Sequence, residues 1–352
     1  MAPRVVPLTA AQYAAWDDFV AACPDRTPYH SAAWFEVLRR TFGYRPRGLL
    51  LSDGDDILAG LPLFEVPGWS GRRLVSSPFR DRGGVLAAPG ADVRPLLRKA
   101  AASCRGSCRH LAIKHMARPD GAALRDEGFD QHAHWVTTRV DLRPGADALW
   151  RSLGNNARGP VKQARLAGLT VRTGRGAADL DRFHRIFVLN RRALGIPTFP
   201  ALFFTEIGRR LGDRGAMRLL LAEHDGAAVA GLLLLIAGDT VIDGYAAAIP
   251  SRRDLRPNDL LVWTAIEWAS QQGYATFDFG ADSPHQTGLL AFKRKWHGVH
   301  HTLSDYRYSA RGRAAPDDDS ASGRYAMARR VMSRLPMPLF RWVSRLTVRR
   351  LG

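Results

Sequence analysis

Residues 219–231 read LLLAEHDGAAVAG: an apolar run, an Asp-Gly turn at Asp225-Gly226, and a second apolar run that ends in Ala-Gly. Asp-Gly between two such runs signals a β-hairpin, because the turn needs left-handed backbone that Gly adopts freely and Asp tolerates. The same order occurs in LLLSDGDDILAG, residues 49–60. Gly60 and Gly231 lie about half a chain apart, a recurrence that reads as two copies of one α/β unit, each built round a central hairpin.

The flanks repeat too. SAAWFEVLRRTFGY, residues 31–44, places Trp34, Val37, Leu38 and Phe42 on one helical face and stops at Gly43. DLDRFHRIFVLNRRALG, residues 179–195, does the same with Phe183, Ile186, Phe187 and Leu194 before Gly195. The first hairpin is followed by strands at RLVSSP and GGVLA, a helix across VRPLLRKAAASC and a strand at HLAIKH. The second is followed by TVIDGYAAAI, a helix across NDLLVWTAIEWASQQG and a strand at TFDFG. WVTTRVDL, residues 135–142, alternates like a strand that leads out of the first unit. LWRSLGNNARGPVKQARLAG, residues 149–168, opens the second as helical segments interrupted at Gly159-Pro160. The expected blocks are 1–145, 146–308, a polar linker over 309–324, and a tail over 325–352. In the tail Leu339, Trp342, Val343 and Leu346 share one helical stripe and Arg341, Arg345 and Arg349 another, a basic amphipathic helix.

Composition narrows the classes. An apolar share of 46% and a charged share of 24% fit a folded globular chain. The formal net charge of +18 favours polyanionic partners such as RNA, nucleotide phosphates or anionic lipid. Three cysteines, Cys23, Cys104 and Cys108, form no CxxC pair, which argues against a disulfide framework or a four-ligand zinc site and suits a reducing cytoplasm. The N-terminal stretch lacks the apolar run of a signal peptide, and no run of roughly 18 apolar residues suggests a membrane span.

Three stretches carry a resemblance: RLVSSPFRDRGGVLA at 73–87, NNARGPVKQARLAGLTV at 155–171, and PNDLLVWTAIEWASQQGYATFDFGADSPHQTGLLAFKRKWHG at 257–298. In order and spacing the chain, from about residue 28 to 308, resembles the FemAB-like proteins, above all those associated with exosortase and exopolysaccharide gene clusters in bacteria. The resemblance implies an α/β fold of two tandem GNAT-like acyltransferase domains, each a mixed sheet flanked by helices. The first would be the acceptor side and the second the donor and catalytic side. Peptidoglycan Fem enzymes move an amino acid from aminoacyl-tRNA to an amine on a cell-wall precursor; acyl-CoA serves other relatives.

By the same resemblance the lysine of Phe292-Lys293 lies at the reaction centre, where a fixed ammonium would stabilise the oxyanion formed as an amine attacks an ester, or hold a donor phosphate. Asp278, Asp282 and His285 are the candidate proton acceptors. Lys295 is a surface charge or a phosphate contact. Arg252, Arg253 and Arg256 precede Pro257, and Asn258 or Asp259 would cap the helix that follows; with Tyr245 they make up the donor side. CoA-dependent GNAT enzymes carry a glycine-rich turn there, and no Gly-x-Gly is present, which favours tRNA. On the acceptor side SPFRDRGG supplies Arg80, Asp81, Arg82 and Gly83, with Gly83-Gly84 permitting close approach, and the helix between the domains supplies Arg158 and Lys162. HAHW at 132–135 and HGVHH at 297–301 have no helix-spaced carboxylate partner, so no metal is expected.

The leading expectation is therefore an amide-forming acyltransferase that passes an aminoacyl group from aminoacyl-tRNA to an amine on a small molecule, peptide or envelope precursor. It needs no metal or redox cofactor. The alternatives are an acyl-CoA-dependent transferase acting on a sugar amine or exopolysaccharide precursor, and a non-catalytic binding protein held to anionic membrane by residues 325–352. The expected site of action is the cytoplasm, with peripheral contact at the inner face of the membrane through that tail.

Overall fold

The computed structural model describes residues 3–69, 71–79, 82–105, 108–116, 121–309 and 323–352. The chain divides into two compact units: the described residues of Met1–Trp135, Thr302–Asp319 and Leu346–Gly352 form the first, those of Val136–His301 and Ser320–Arg345 the second. Both are discontinuous in sequence, where the pattern suggests contiguous blocks. In chain order the strands are β1 (Arg4–Pro7), β2 (Arg45–Pro46), β3 (Leu49–Asp53), β4 (Asp56–Leu61), β5 (Phe64–Gly68), β6 (Gly71–Val75), β7 (Leu86–Ala87), β8 (His110–Met116), β9 (Asp130–Asp141), β10 (Thr170–Thr173), β11 (Met217–His224), β12 (Ala227–Ala237), β13 (Thr240–Ala248), β14 (Thr276–Asp282) and β15 (Val299–Ser309).

In the first unit β1, β3, β4 and β7 form one sheet, and β8, β6, β5 and β2 follow one another in a second, with β15 joining β8 from Ser304 to Ser309. β6 and β8 run parallel through Leu74↔Leu111 and Val75↔Ala112. The helix Arg94–Cys104 buries Leu96, Leu97, Ala100 and Cys104 in a core with Leu49, Leu51, Ala59 and Leu61 of the hairpin. The helix Ala32–Phe42 starts where the Ser31 side chain accepts from Trp34 N and stops at Gly43, whose φ of 68° is left-handed, as the pattern predicts.

In the second unit the order is β10, β11, β12, β13, β14, β9, antiparallel throughout except for the parallel pair β13–β14. Leu219, Leu220 and Leu221 are all buried, the mark of a strand covered on both faces. Leu220 and Ala222 join a core with Leu261, Val262 and Ala265 of the helix Pro257–Gln271. The helix Gly176–Leu194 ends at left-handed Gly195, again as predicted.

The repeat holds at the level of atoms. Gly60 pairs with Leu50, and a Cβ there would run into the ring of Trp16 from the helix Tyr13–Ala22. Gly231 pairs with Leu221, and a Cβ there would run into the ring of Phe183 from the helix Gly176–Leu194. Each hairpin thus has a glycine opposite a leucine where an aromatic ring from a helix comes close to the strand.

Two local expectations are corrected. The helix Asn155–Leu166 passes through Pro160 without a break, because Ala157, Val161 and Ala164 are buried on it against the helix Pro257–Gln271, and that packing outweighs one missing backbone donor. Phe292, Lys293 and Arg294 end the helix Thr287–Arg294. The tail forms two helices, Gly323–Arg334 and Met337–Thr347, not one. The second of these packs through Phe340 and Ser344, and Leu339, Trp342 and Leu346 of the expected apolar stripe stand outward, 43%, 60% and 46% exposed. The linker expected over 309–324 falls almost wholly outside the described residues. Among the described residues no helix is long and apolar enough to cross a membrane.

Candidate active site

The parallel strands β13 and β14 are paired at Thr240↔Thr276, Val241↔Phe277 and Ile242↔Asp278, and there the register between them ends. β13 continues to pair with β12 as far as Ala248, and β14 with β9 as far as Asp282. The sheet is therefore parted between two strands whose outer neighbours stay bonded. The parting lies at the carboxyl ends of parallel strands, the edge at which open α/β sheets take their ligands.

β14 bends at this edge. Against β9, Asp278 faces Arg139 and Ala281 faces Thr137, so Phe279 and Gly280 oppose Thr138 alone, and Gly280 takes a φ of 72°. Such a bulge turns carbonyls out of the ladder and leaves them needing donors. Lys293 provides them: its Nζ donates to Phe279 O at 2.8 Å and Gly280 O at 3.4 Å and pairs with the Asp282 carboxylate. Lys293 is 5% exposed and Asp282 8%. Asp278, fully buried, accepts from Thr137 Oγ1 at 2.7 Å, Gly280 N at 2.8 Å and Arg139 Nε at 2.9 Å. Three of the four expected catalytic residues thus meet on one strand end and hold its shape. His285 does not join them; it is exposed in the turn before the helix Thr287–Arg294.

Lys295 is not the surface charge its sequence position suggests. Its ammonium pairs with Asp259 and lies 4.3 Å from the centre of the Phe292 ring and 5.1 Å from that of Trp296, tying the end of the helix Thr287–Arg294 to the first turn of the helix Pro257–Gln271. Asp259 is therefore engaged as an ion-pair partner, and neither it nor exposed Asn258 caps the helix; the N-cap is Arg256, with no side-chain cap bond. Arg256 has a φ of 59°. The backbone so keeps the left-handed turn that a glycine would make there, although the residue is arginine. Arg252, Arg253 and Arg256 are all exposed, and no carboxylate pairs with them among the described residues. Tyr245, by contrast, is in the core, 3% exposed and packed edge-on by Phe187, Phe199, Phe203 and Phe204.

On the expected acceptor side, Arg80 and Asp81 lie outside the described residues. The carbonyl of half-buried Arg82 accepts from Thr27 Oγ1 at 2.8 Å, and Gly84 O accepts from His30 Nε2 at 3.2 Å. A Cβ on Gly83 would run into Ser77, so this glycine serves the approach of one chain segment to another and not of a ligand. His30 is held neutral: burial, the largest cause, lowers its pKa to about 4. Its Nδ1 already accepts from Thr27 N at 3.1 Å, where a second proton has no room. Arg158 is half-buried and Lys162 exposed on the helix Asn155–Leu166.

The histidines hold hydroxyls: His297 Nε2 is 3.0 Å from Ser152 Oγ and His300 Nδ1 2.9 Å from Thr138 Oγ1. Among the described residues no group of three or more His, Cys, Asp and Glu side chains is arranged to hold a metal. Sequence reasoning missed the Asp259–Lys295 tie and the Thr137 and Arg139 clamp on Asp278. Gly280 inside TFDFGAD was the available sign of the bulge.

Residues 151–294 match the family model of the acetyltransferase (GNAT) domain. A lipid II:glycine glycyltransferase of Staphylococcus haemolyticus is 34% identical over 99 residues, 26% of this chain and 23% of that protein. The chain thus spans about a quarter of the length of that relative. The crystal structure of FemX superposes with a TM-score of 0.68 at 17% identity, covering 87% of this chain and 97% of FemX. A tandem GNAT protein from the clavulanic acid biosynthesis pathway gives 0.59 at 15% identity, covering 90% and 100%. Two hairpin-centred units, a parallel pair parted at its carboxyl edge and these likenesses agree: residues 151–294 form a GNAT acetyltransferase domain, and the chain has the tandem GNAT-like fold that FemX also has.

Proposed function

We propose that the protein is an amide-forming acyltransferase that takes an aminoacyl group from aminoacyl-tRNA in the cytoplasm and passes it to an amine on a small molecule, a peptide or an envelope precursor. The observation that carries this reading is the parted β13–β14 edge together with Arg252, Arg253 and Arg256. The helix Pro257–Gln271 connects the two strands and begins just past the carboxyl end of β13, so the three exposed arginines and the helix N-terminus stand at the same edge as the parting. Guanidinium groups and a positive helix end would grip donor phosphates, while the acyl group enters between the strands. The similarity to a glycyltransferase acting on lipid II supports both the aminoacyl class and an envelope precursor as acceptor.

In the step itself the amine nitrogen attacks the ester carbonyl. The C–N bond forms, the C–O bond to the tRNA ribose breaks, and the proton of the amine ends on the released hydroxyl. Donors at the strand edge face the carbonyl oxygen as charge develops on it. Lys293, whose donors are taken by β14, acts here as a positioning residue that fixes that edge. An activated ester can be attacked without a strong protein base, so exposed His285 has no required part.

A second reading takes acyl-CoA as donor. It is favoured by the GNAT domain match and by the left-handed Arg256, which restores to the backbone the turn that the sequence lacks. Purified protein incubated with mixed aminoacyl-tRNA, or with acyl-CoA, and an amine separates the two. RNase-sensitive deacylation is expected, and release of CoA instead selects the second reading. Replacing Arg252, Arg253 and Arg256 with Ala should raise KM for charged tRNA at least about tenfold and lessen its log–log salt slope by about 2, with kcat little altered. Turnover of neither donor overturns both readings.

A further inference from the structure

The two C-terminal helices present a surface that acyl transfer does not use. The helix Gly323–Arg334 is fixed to the end of the helix Gly176–Leu194: Arg329 Nε donates to Leu194 O at 3.0 Å, Arg192 Nε donates to Leu335 O at 2.7 Å, and Gly195 leaves room for the Arg329 carbonyl. So held, it turns Met327 and Val331 outward, 70% and 56% exposed, and with Ala326, Arg330, Arg334 and Leu335 they line a surface groove. The helix Met337–Thr347 is fixed by buried Phe340 and by Ser344, whose Oγ accepts from Thr198 N at 3.2 Å. Helical spacing puts Leu339, Trp342 and Leu346 across the helix from that buried row. All three are exposed.

Charge completes the pattern. From Gly323 to Gly352 the chain has no Asp or Glu. Arg330, Arg334, Arg341 and Arg345 are exposed, and none is paired with a carboxylate among the described residues. Arg341 and Arg345 form a row beside the Leu339, Trp342 and Leu346 row. An apolar ridge costs free energy in water, and a bare row of arginines beside it repels a like-charged partner. An anionic bilayer surface satisfies both at once, the ridge entering the acyl boundary and the arginines meeting lipid phosphates, with tryptophan suited to the interface between them.

We propose that the outward face of the helices Gly323–Arg334 and Met337–Thr347 docks on an anionic phospholipid membrane, through Leu339, Trp342 and Leu346 flanked by Arg341 and Arg345, with Met327 and Val331 as a second apolar contact. The inference stands apart from the acyl transfer proposed above, since none of these residues has been placed in donor or acceptor binding. The full chain is sedimented with vesicles of phosphatidylcholine, with and without phosphatidylglycerol. Binding is expected only where phosphatidylglycerol is present. The double variant Trp342→Ser and Leu346→Ser should weaken it at least about tenfold, and Arg341→Gln with Arg345→Gln should weaken it and remove most of its salt dependence. These side chains are exposed, so the thermal midpoint and the turnover of a soluble amine should stay as in the parent chain. Equal binding to neutral vesicles, binding unchanged in the Trp342 and Leu346 variant, or absence of vesicle binding overturns the proposal. A parent chain that sediments as a dimer in vesicle-free buffer while that variant sediments as a monomer also overturns it, and assigns the ridge to a second copy.

Discussion

Lys293 answers a need that the bulge in β14 creates. Its ammonium is enclosed by two outward-turned carbonyls and the Asp282 carboxylate, so removing it leaves a buried charge and two polar groups without their donor. Lys293→Ala should therefore lower the free energy of unfolding by about 3–5 kcal/mol, read by urea denaturation. A variant as stable as the parent chain but inactive would instead put the ammonium at the reacting carbonyl. His30 supplies a pH dependence of its own. Its pKa falls from 6.5 to about 4 on folding, so the unfolded chain binds the proton more tightly. The contribution is whole above about pH 6.5 and lost as pH falls towards 4, about 3 kcal/mol in all. The thermal midpoint should drop across that window, and His30→Gln should flatten the slope whatever it does to the midpoint at pH 7.

Among the elements, the two hairpins make one prediction twice. Gly60→Ala and Gly231→Ala each push a methyl group into an aromatic ring, Trp16 in one unit and Phe183 in the other. Each should cost about 1–3 kcal/mol, measured by thermal or urea unfolding, and the two costs should add. A neutral result at either site would mean that its ring can move away. These elements were legible because their signals are local: Asp225-Gly226 at a turn, Gly43 and Gly195 at helix ends, and the 3.6-residue spacing before them. The helix through Pro160 was not, because tertiary burial of Ala157, Val161 and Ala164 overrides a local breaker. Nor was the setting of Lys295, whose partner Asp259 is a separate element away. Arg256 combines both cases: its residue type says that the glycine turn is lost, and its φ of 59° keeps the turn.

For the whole molecule, the repeat foretold two α/β units, but not which strand closes each of them. The sequence of the strand over residues 299–309 carries no mark of its destination. In the fold its part from Thr302 returns to the first unit, where Asp305 is buried and takes the Lys114 ammonium at 3.2 Å. The +18 charge has likewise no single address in the sequence. The structure exposes part of that surplus at the head of the helix Pro257–Gln271 and part along the C-terminal helices, whereas arginines such as Arg172, paired with Asp179 and Glu223, are balanced by carboxylates.

That returning strand gives the protein an order of birth. A ribosome that has finished residue 135 has made nearly all of the first unit, yet must add the whole of Val136–His301 before the strand that covers β8 emerges. At roughly 5–20 residues per second the wait is about 8–33 s, long against most folding steps. Throughout it β8 presents an open edge with Lys114 still without Asp305. The nascent first unit is thus the stage at which this chain most needs protection from strand-to-strand association, and the later unit can close before the earlier one is complete.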